Sequence, residues 1–134
     1  MKKPLKKCSL CGLEAWNTED LEYFAKDKTH SYGRKNLCEE CRKVQRREHG
    51  LLANYGITTK QYNELLRKQD YSCAICGTKD PRHKGHFHVD HNHLTGEIRG
   101  LLCHGCNTAL GLFCDSTIIL SKAIIYLNNK GSYG

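Results

Sequence analysis

Eight of the nine cysteines fall in four Cys-x2-Cys pairs: Cys8 and Cys11, Cys38 and Cys41, Cys73 and Cys76, Cys103 and Cys106. Taken two pairs at a time they form two quartets of the same pattern, Cys-x2-Cys-x26-Cys-x2-Cys, and a shift of 65 residues lays the first quartet on the second. Thiols at this spacing suit tetrahedral zinc, whose four-cysteine sites are closed and structural. The chain is therefore expected to fold around two zinc staples.

Composition points the same way. Apolar residues make up 39% of the 134, and cysteine supplies nine of them. Mean hydropathy is -0.62. A short chain this poor in aliphatic residues buries a small core, and small domains generally need staples. No apolar run follows the basic start Met1-Lys2-Lys3-Pro4, so no secretory signal is expected. No stretch reaches membrane-spanning length. Metal thiolates in a reducing, cytoplasmic setting are preferred over disulfides. Net charge is +7 with a sequence pI near 9.0, which suits either an ordinary soluble basic surface or a polyanionic partner, and beside zinc knuckles it favours nucleic acid.

Along the chain, Lys2, Lys3, Lys6 and Lys7 form a basic tail. Cys8 to Cys11 with Gly12 is a first knuckle, and Trp16 is expected in the core behind it rather than on a stacking surface. A helix is predicted from Cys38 to His49 with Gly50 as its cap. Arg42, Lys43, Arg46 and Arg47 recur at helical spacing there, either as a solvated face or as a ridge for a DNA backbone. Residues 1–50 are read as a knuckle-bearing scaffold or nucleic-acid-binding unit, and 51–134 as the unit with the chemistry. Thr58 to Gln61 resembles a capping box and opens a helix of about ten residues with Tyr62, Leu65 and Leu66 inward. Cys73 to Gly77 is the second knuckle. His86 to Asp90 and Ile98 to Leu102 alternate as strands, joined by a turn that pivots on Gly96. A short helix follows Cys103. Asp115 or Ser116 is expected to cap a last helix that runs to about Asn129, with Gly131 as its stop.

The 65-residue shift also matches Gly12 with Gly77, Arg34 with Arg99, and Leu37 with Leu102. At the places of Asp90, His91, His93 and Asn107 the first half has Ala25, Lys26, Lys28 and Arg42. Two related units are expected, following a similar path around each quartet, with chemistry in the second only.

That chemistry sits between His86 and Asn107 (HFHVDHNHLTGEIRGLLCHGCN). A closed quartet of Cys73, Cys76, Cys103 and Cys106 would tie the hairpin to the next helix and bring Asp90 and His91 towards Asn107. Oxygen ligands from Asp90 and Asn107 suit magnesium or manganese rather than zinc. Histidine, with an ordinary pKa of about 6.5, suits His91 as a general base for water. On a regular strand Asp90 and His91 face opposite ways, so a bulge or the strand end is needed to present both to one phosphate. His86 and His88 are read as peripheral, His83 and His104 as facing solvent, and Cys114 as a small buried group. Arg99 either clamps phosphate or pairs with an acid. A two-cysteine, two-histidine finger from Cys73, Cys76, His88 and His93 is the rival ligand set, but it strands Cys103 and Cys106.

VDHNH, then LTGEIRGLLC and CNTALG, resembles the HNH, or ββα-metal, endonucleases, in particular the phage recombination endonuclease VII family. The resemblance covers about Tyr55 to Leu127, and the first knuckle is similar to an amino-terminal extension of some members. It implies an α+β fold: a small zinc-stapled domain with a ββα-metal motif, preceded by a second four-cysteine zinc knuckle and flanked by helices. It implies Asp90 and Asn107 as ligands of a catalytic magnesium or manganese ion, His91 as base, and His93 in contact with the scissile phosphate. Two structural zinc ions complete the expected cofactors. The expected activity is DNA endonuclease cleavage of duplex or branched substrates in the host cytoplasm, with a homodimer as a further expected partner. One departure is Leu110, where the family carries a glutamate. The competing function is a non-catalytic zinc-ribbon binder of DNA or RNA.

Overall fold

The structure is a computed structural model that describes residues 2–129. It separates into two compact units that divide after Thr59.

The first unit is built on its cysteines. Strands β1 (Lys6–Lys7) and β2 (Glu14–Ala15) pair antiparallel around the Cys8 knuckle. Strands β3 (Phe24–Lys26) and β4 (Arg34–Cys38) form a second antiparallel pair. Helix α1 (Glu39–Tyr55) begins where β4 stops, with Cys38 as its N-cap. Cys8, Ala15, Leu21, Phe24 and Cys38 make the buried cluster, so the metal-ligating pattern and the core are one feature. Lys6 is buried too, and its ammonium donates to Asn36 Oδ1 at 3.0 Å. The sequence signal missed β1 to β4 as strands because two to five residues are too few for a readable period. Trp16 is not in the core: it is 53% exposed. Its backbone N–H donates to Asp20 Oδ2 at 2.8 Å in a tight turn, and Phe24, with no exposed surface, fills the space instead.

Helix α1 runs past Gly50. Glycine inside a helix costs only about 1 kcal/mol, and burying Leu51 in the next turn offsets it. The helix ends at Gly56, whose φ of 67° permits a left-handed cap. Gly56 N–H donates to Leu52 O at 3.0 Å, the bond of a left-handed glycine ending, and Ile57 N–H reaches Leu51 O at 3.4 Å, with Leu51 and Ile57 both buried. The sequence boundary at 50/51 thus falls inside a continuous helix.

In the second unit, helix α2 (Thr59–Lys68) has the length its apolar spacing predicts, and Tyr62 is buried, donating its hydroxyl to Phe87 O at 2.8 Å. Strands β5 (His88–His91) and β6 (Ile98–Leu102) form an antiparallel hairpin. Its turn is held by Asn92 N–H to Glu97 O at 2.8 Å and by Gly96 at φ 74°. Helix α3 (His104–Leu112) packs on both strands, and α4 (Thr117–Asn128) follows. Ser116, not Asp115, caps α4: its side chain accepts from Ile119 N–H. The expected stop at Gly131 lies outside the described residues. Tyr62, Phe87, Val89, Leu101 and Leu102 form the buried apolar set beside Cys73 and Cys103. Gln69 fastens α2 to β6, donating to Leu101 O and accepting from Leu101 N–H, both at 2.9 Å. Ile118, Ile124, Ile125 and Leu127 of α4 are exposed. Among the described residues no single helix is long and apolar enough to cross a membrane.

The paths around the two quartets match. Cys8 N–H donates to Leu13 O at 2.7 Å, and Cys73 N–H to Thr78 O at 2.9 Å. Ser9 N–H reaches Asn36 O at 3.0 Å, and Ala74 N–H reaches Leu101 O at 3.1 Å. Both pairs keep the 65-residue shift. So do Gly12 and Gly77, at φ 77° and 70°, and Cys38 and Cys103, each the N-cap of the helix after its hairpin. Each unit is a knuckle, a hairpin and a helix.

Candidate active site and metal centres

Each cysteine quartet converges. In both, one sulfur from each residue lies within 4.8 Å of the other three. Cys11 and Cys38 Sγ are 3.7 Å apart, as are Cys76 and Cys103 Sγ. Zinc–sulfur bonds of about 2.3 Å at tetrahedral angles put sulfurs about 3.8 Å apart, so the quartets fit zinc. The finger reading fails, because Cys103 and Cys106 take the places it gave to His88 and His93. Burial pushes the Cys8 thiol up, but N–H groups of Cys11, Cys38 and Leu10 together outweigh it and bring it down to about 6. Cys73 follows the same course: burial raises it, N–H groups of Cys103, Cys76 and Ile75 lower it, and it settles at about 6. Hydrogen bonding to the Cys38 side chain pushes Cys41 up to about 12, and burial does the same for Cys106. One thiol in each quartet is thus a ready ligand.

The second quartet fixes the hairpin that carries Asp90 and His91. Asp90 pairs with Gly100 and His91 with Ile98, so the register slips by one and Arg99 is the extra residue of a β-bulge. Bulges re-aim side chains and occur next to active sites. His91 is also the last residue of β5. Both devices anticipated for this pair are therefore present, the bulge and the strand end.

Arg99 grips Asp90 as a fork, Nε to Oδ2 at 2.7 Å and Nη2 to Oδ1 at 2.9 Å. The same Nη2 donates to Asp115 Oδ2 at 2.9 Å. These bonds, Asp90 first and Asp115 second, raise the Arg99 pKa above its already high range. Of the two readings of Arg99, the pairing with acids is the one observed, and it engages two of them. His93 Nε2 lies 3.9 Å from Asp115 Oδ2, and the His91 and His93 ring centroids are 4.6 Å apart. Asn92, His93, Arg99, Cys114 and Asp115 line an open cavity of about 500 Å³. Cys114 is exposed there rather than buried, since it and Asp115 both take left-handed backbone, at φ 52° and 54°, in the corner between α3 and α4. Asn107 sits half-buried on the first turn of α3.

Asp115 is the site residue that sequence reasoning missed. The available signal was redundancy: Asp115 and Ser116 both suited the N-cap of α4, and only one was needed. The peripheral histidines have the exposure expected of His83 and His104, but they cluster. His83 and His104 are exposed but stack near each other, 4.8 Å between centroids, and His88 packs against His104 at 5.4 Å. Burial lowers the His88 pKa, and nearby His104 and His86 lower it further.

In the first unit Arg34 stands where Arg99 stands in the second. With Ala25 in the place of Asp90, it donates Nη1 to Phe24 O at 2.9 Å and sets Nη2 3.5 Å from Glu22 Oε1. On α1, Arg42 pairs with Glu39 at 2.9 Å and Lys43 with Glu40 at 2.7 Å, so part of the basic ridge is locally neutralised.

The model of one family, recombination endonuclease VII, matches residues 48–129, which is more than half of the chain. The chain belongs to the recombination endonuclease VII family. Membership places it among the nucleases. Two phage proteins, each called Gene 59 protein, are similar to it along most of its length. That of Mycobacterium phage D29 is 37% identical over 128 residues, 94% of this chain and 73% of the relative. That of Mycobacterium phage L5 is 35% identical over 130 residues, 96% of this chain and 75% of the relative. A crystal structure of the beta-beta-alpha-Me type II restriction endonuclease Hpy99I is 27% identical, with a TM-score of 0.40. The match covers 92% of this chain and 64% of that one.

Proposed function

We propose that this member of the family hydrolyses DNA phosphodiester bonds by an HNH-type reaction that depends on a divalent cation. Supporting the reading is the run of contacts from Asp90 through Arg99 and Asp115 to His93, on a hairpin that the second quartet fastens to α3. Asp90 and Asn107 would hold magnesium or manganese. The donor set fits: a carboxylate only 13% exposed, drawn to a cationic fork, and an amide, both hard oxygen donors. A bound ion would stabilise charge on the phosphate and leaving oxygen.

His91 takes a proton from water, whose oxygen bonds to phosphorus as the ester P–O bond breaks; the leaving oxygen takes a proton from solvent. His93 hydrogen-bonds a non-bridging phosphate oxygen, oriented by Asp115. Arg99 exchanges part of its grip on the acids for phosphate as the substrate enters. The first unit acts as the scaffold and DNA-binding unit, with Arg42, Lys43, Arg46 and Arg47 facing the backbone, and the second as the nuclease. The substrate is duplex or branched DNA in the host cytoplasm. The exposed aliphatic residues of α4 support a homodimer, with a second copy covering that face; a monomeric mass in solution at micromolar concentration would reject it.

Supercoiled plasmid incubated with the zinc-loaded chain tests the reaction. Nicked or linear product that requires added Mg²⁺ or Mn²⁺ is expected. Retarded but uncut plasmid would instead support the non-catalytic zinc-ribbon binder.

A further inference from the structure

Three histidines stand outside both cysteine quartets and outside the Asp90 cluster. His83 lies in the loop after the second knuckle, His88 on β5, and His104 is the first residue of α3. Each offers a ring nitrogen, and the three nitrogens lie within 4.8 Å of one another. The rings are tilted by 33° and 43° rather than stacked flat.

Nε2 of His88 is buried and has no hydrogen-bond partner, the sole such side-chain atom among the described residues. Buried polar atoms normally have a partner, and one without calls for an explanation. The loop is also held in place. His104 N–H donates to Pro81 O at 3.1 Å, and Arg82 N–H to Asp80 Oδ1 at 2.8 Å. Arg82 and Lys84, on either side of His83, both take left-handed backbone, at φ 67° and 56°, which non-glycine residues rarely adopt.

We propose that His83, His88 and His104 form a third metal site, for one first-row transition ion of the zinc class, that pins the loop of residues 78–87 to β5 and α3. An all-imidazole donor set suits zinc, copper or nickel and discriminates against magnesium and calcium. Zinc–nitrogen bonds of about 2.0–2.1 Å place tetrahedral ligand nitrogens about 3.3 Å apart. His83 and His104 are exposed, so small rotations of their side chains close the remaining gap around the buried His88 nitrogen. Three protein ligands leave a fourth position open to water. His86 is a neighbour and not a ligand: its Nδ1 donates to Lys84 O at 2.8 Å, and its ring centroid is 6.3 Å from that of His88. The site is independent of the cleavage chemistry proposed for Asp90 and His91.

The full chain, loaded with two zinc ions, is titrated with further Zn²⁺ and its metal content counted. A third equivalent is expected. It should vanish in a His83→Ala/His104→Ala variant that keeps the first two, and persist in His91→Ala/His93→Ala and in excess Mg²⁺. The unmodified chain supplies a second measurement. Tryptic cleavage after Arg82 and Lys84 should slow at least tenfold on adding the third equivalent, relative to cleavage elsewhere. No third equivalent, a third equivalent that survives loss of His83 and His104, its loss with His91 and His93 instead, or unchanged cleavage in the loop would each overturn the site.

Discussion

Arg99 holds both carboxylate oxygens of Asp90, at 2.7 and 2.9 Å, from the extra position of a β-bulge. A guanidinium there competes with any divalent ion for the same oxygens. Arg99→Ala should therefore tighten Mn²⁺ binding by the zinc-loaded chain several-fold in the absence of DNA, measured by calorimetry. Weaker binding would show that Arg99 supports the metal site instead of guarding it.

Asp115 and Ser116 are neighbours with separate tasks. Asp115 faces Arg99 and His93, while Ser116 caps α4. Asp115→Asn should reduce the cleavage rate at least tenfold with little change in thermal stability. Ser116→Ala should do the reverse, costing about 1 kcal/mol of stability with cleavage intact. Plasmid cleavage and thermal melts on the two variants separate these effects.

Zinc retention should depend on pH in a direction the thiols set. Cys8 and Cys73, brought down to about 6, are thiolates at pH 7 and contribute binding that is lost as pH falls through 6. Cys41 and Cys106, pushed up to about 12, hold their protons until zinc displaces them. Zinc uptake at pH 7 should thus release protons, and zinc affinity should fall more steeply with acid below about pH 6, where Cys8 and Cys73 must also lose a proton on binding. Zinc-indicator titration across pH 5 to 8 checks this; an affinity that does not change with pH over that range would contradict it.

Gln69 satisfies both backbone groups of Leu101, a residue with no exposed surface. Gln69→Ala leaves the Leu101 N–H unpaired, while Leu101 O still accepts from Ala74 N–H, and should cost about 1–3 kcal/mol, read from chemical denaturation of the zinc-loaded chain. Gly100→Ala should also destabilise, since its Cβ would stand 3.1 Å from Gln69 Oε1.

The cysteine spacing made much of this fold legible. It implied the two quartets and a similar path of the chain around each, because a metal cluster ties distant residues by coordination chemistry rather than by diffuse packing. Periodicity carried less. The short strands β1 to β4 are below its reach, and Gly50 read as a stop because only tertiary burial of Leu51 carries α1 onward. Trp16 was misplaced because size argues for burial while the Asp20 turn decides its position. Asp90, Arg99 and His93 stood out by residue type, whereas Asp115 comes into play only through a fold that returns α3 and α4 to the hairpin. The His83, His88 and His104 group was equally invisible, since its members look peripheral until loop, strand and helix converge.

Plasmid cleavage by His91→Ala is the most direct measurement of the central claim. With two zinc ions retained and an unchanged melting profile, cleavage in Mg²⁺ or Mn²⁺ should fall roughly 100- to 10,000-fold, the usual worth of a general base. Undiminished cleavage by that variant would contradict the role assigned to His91.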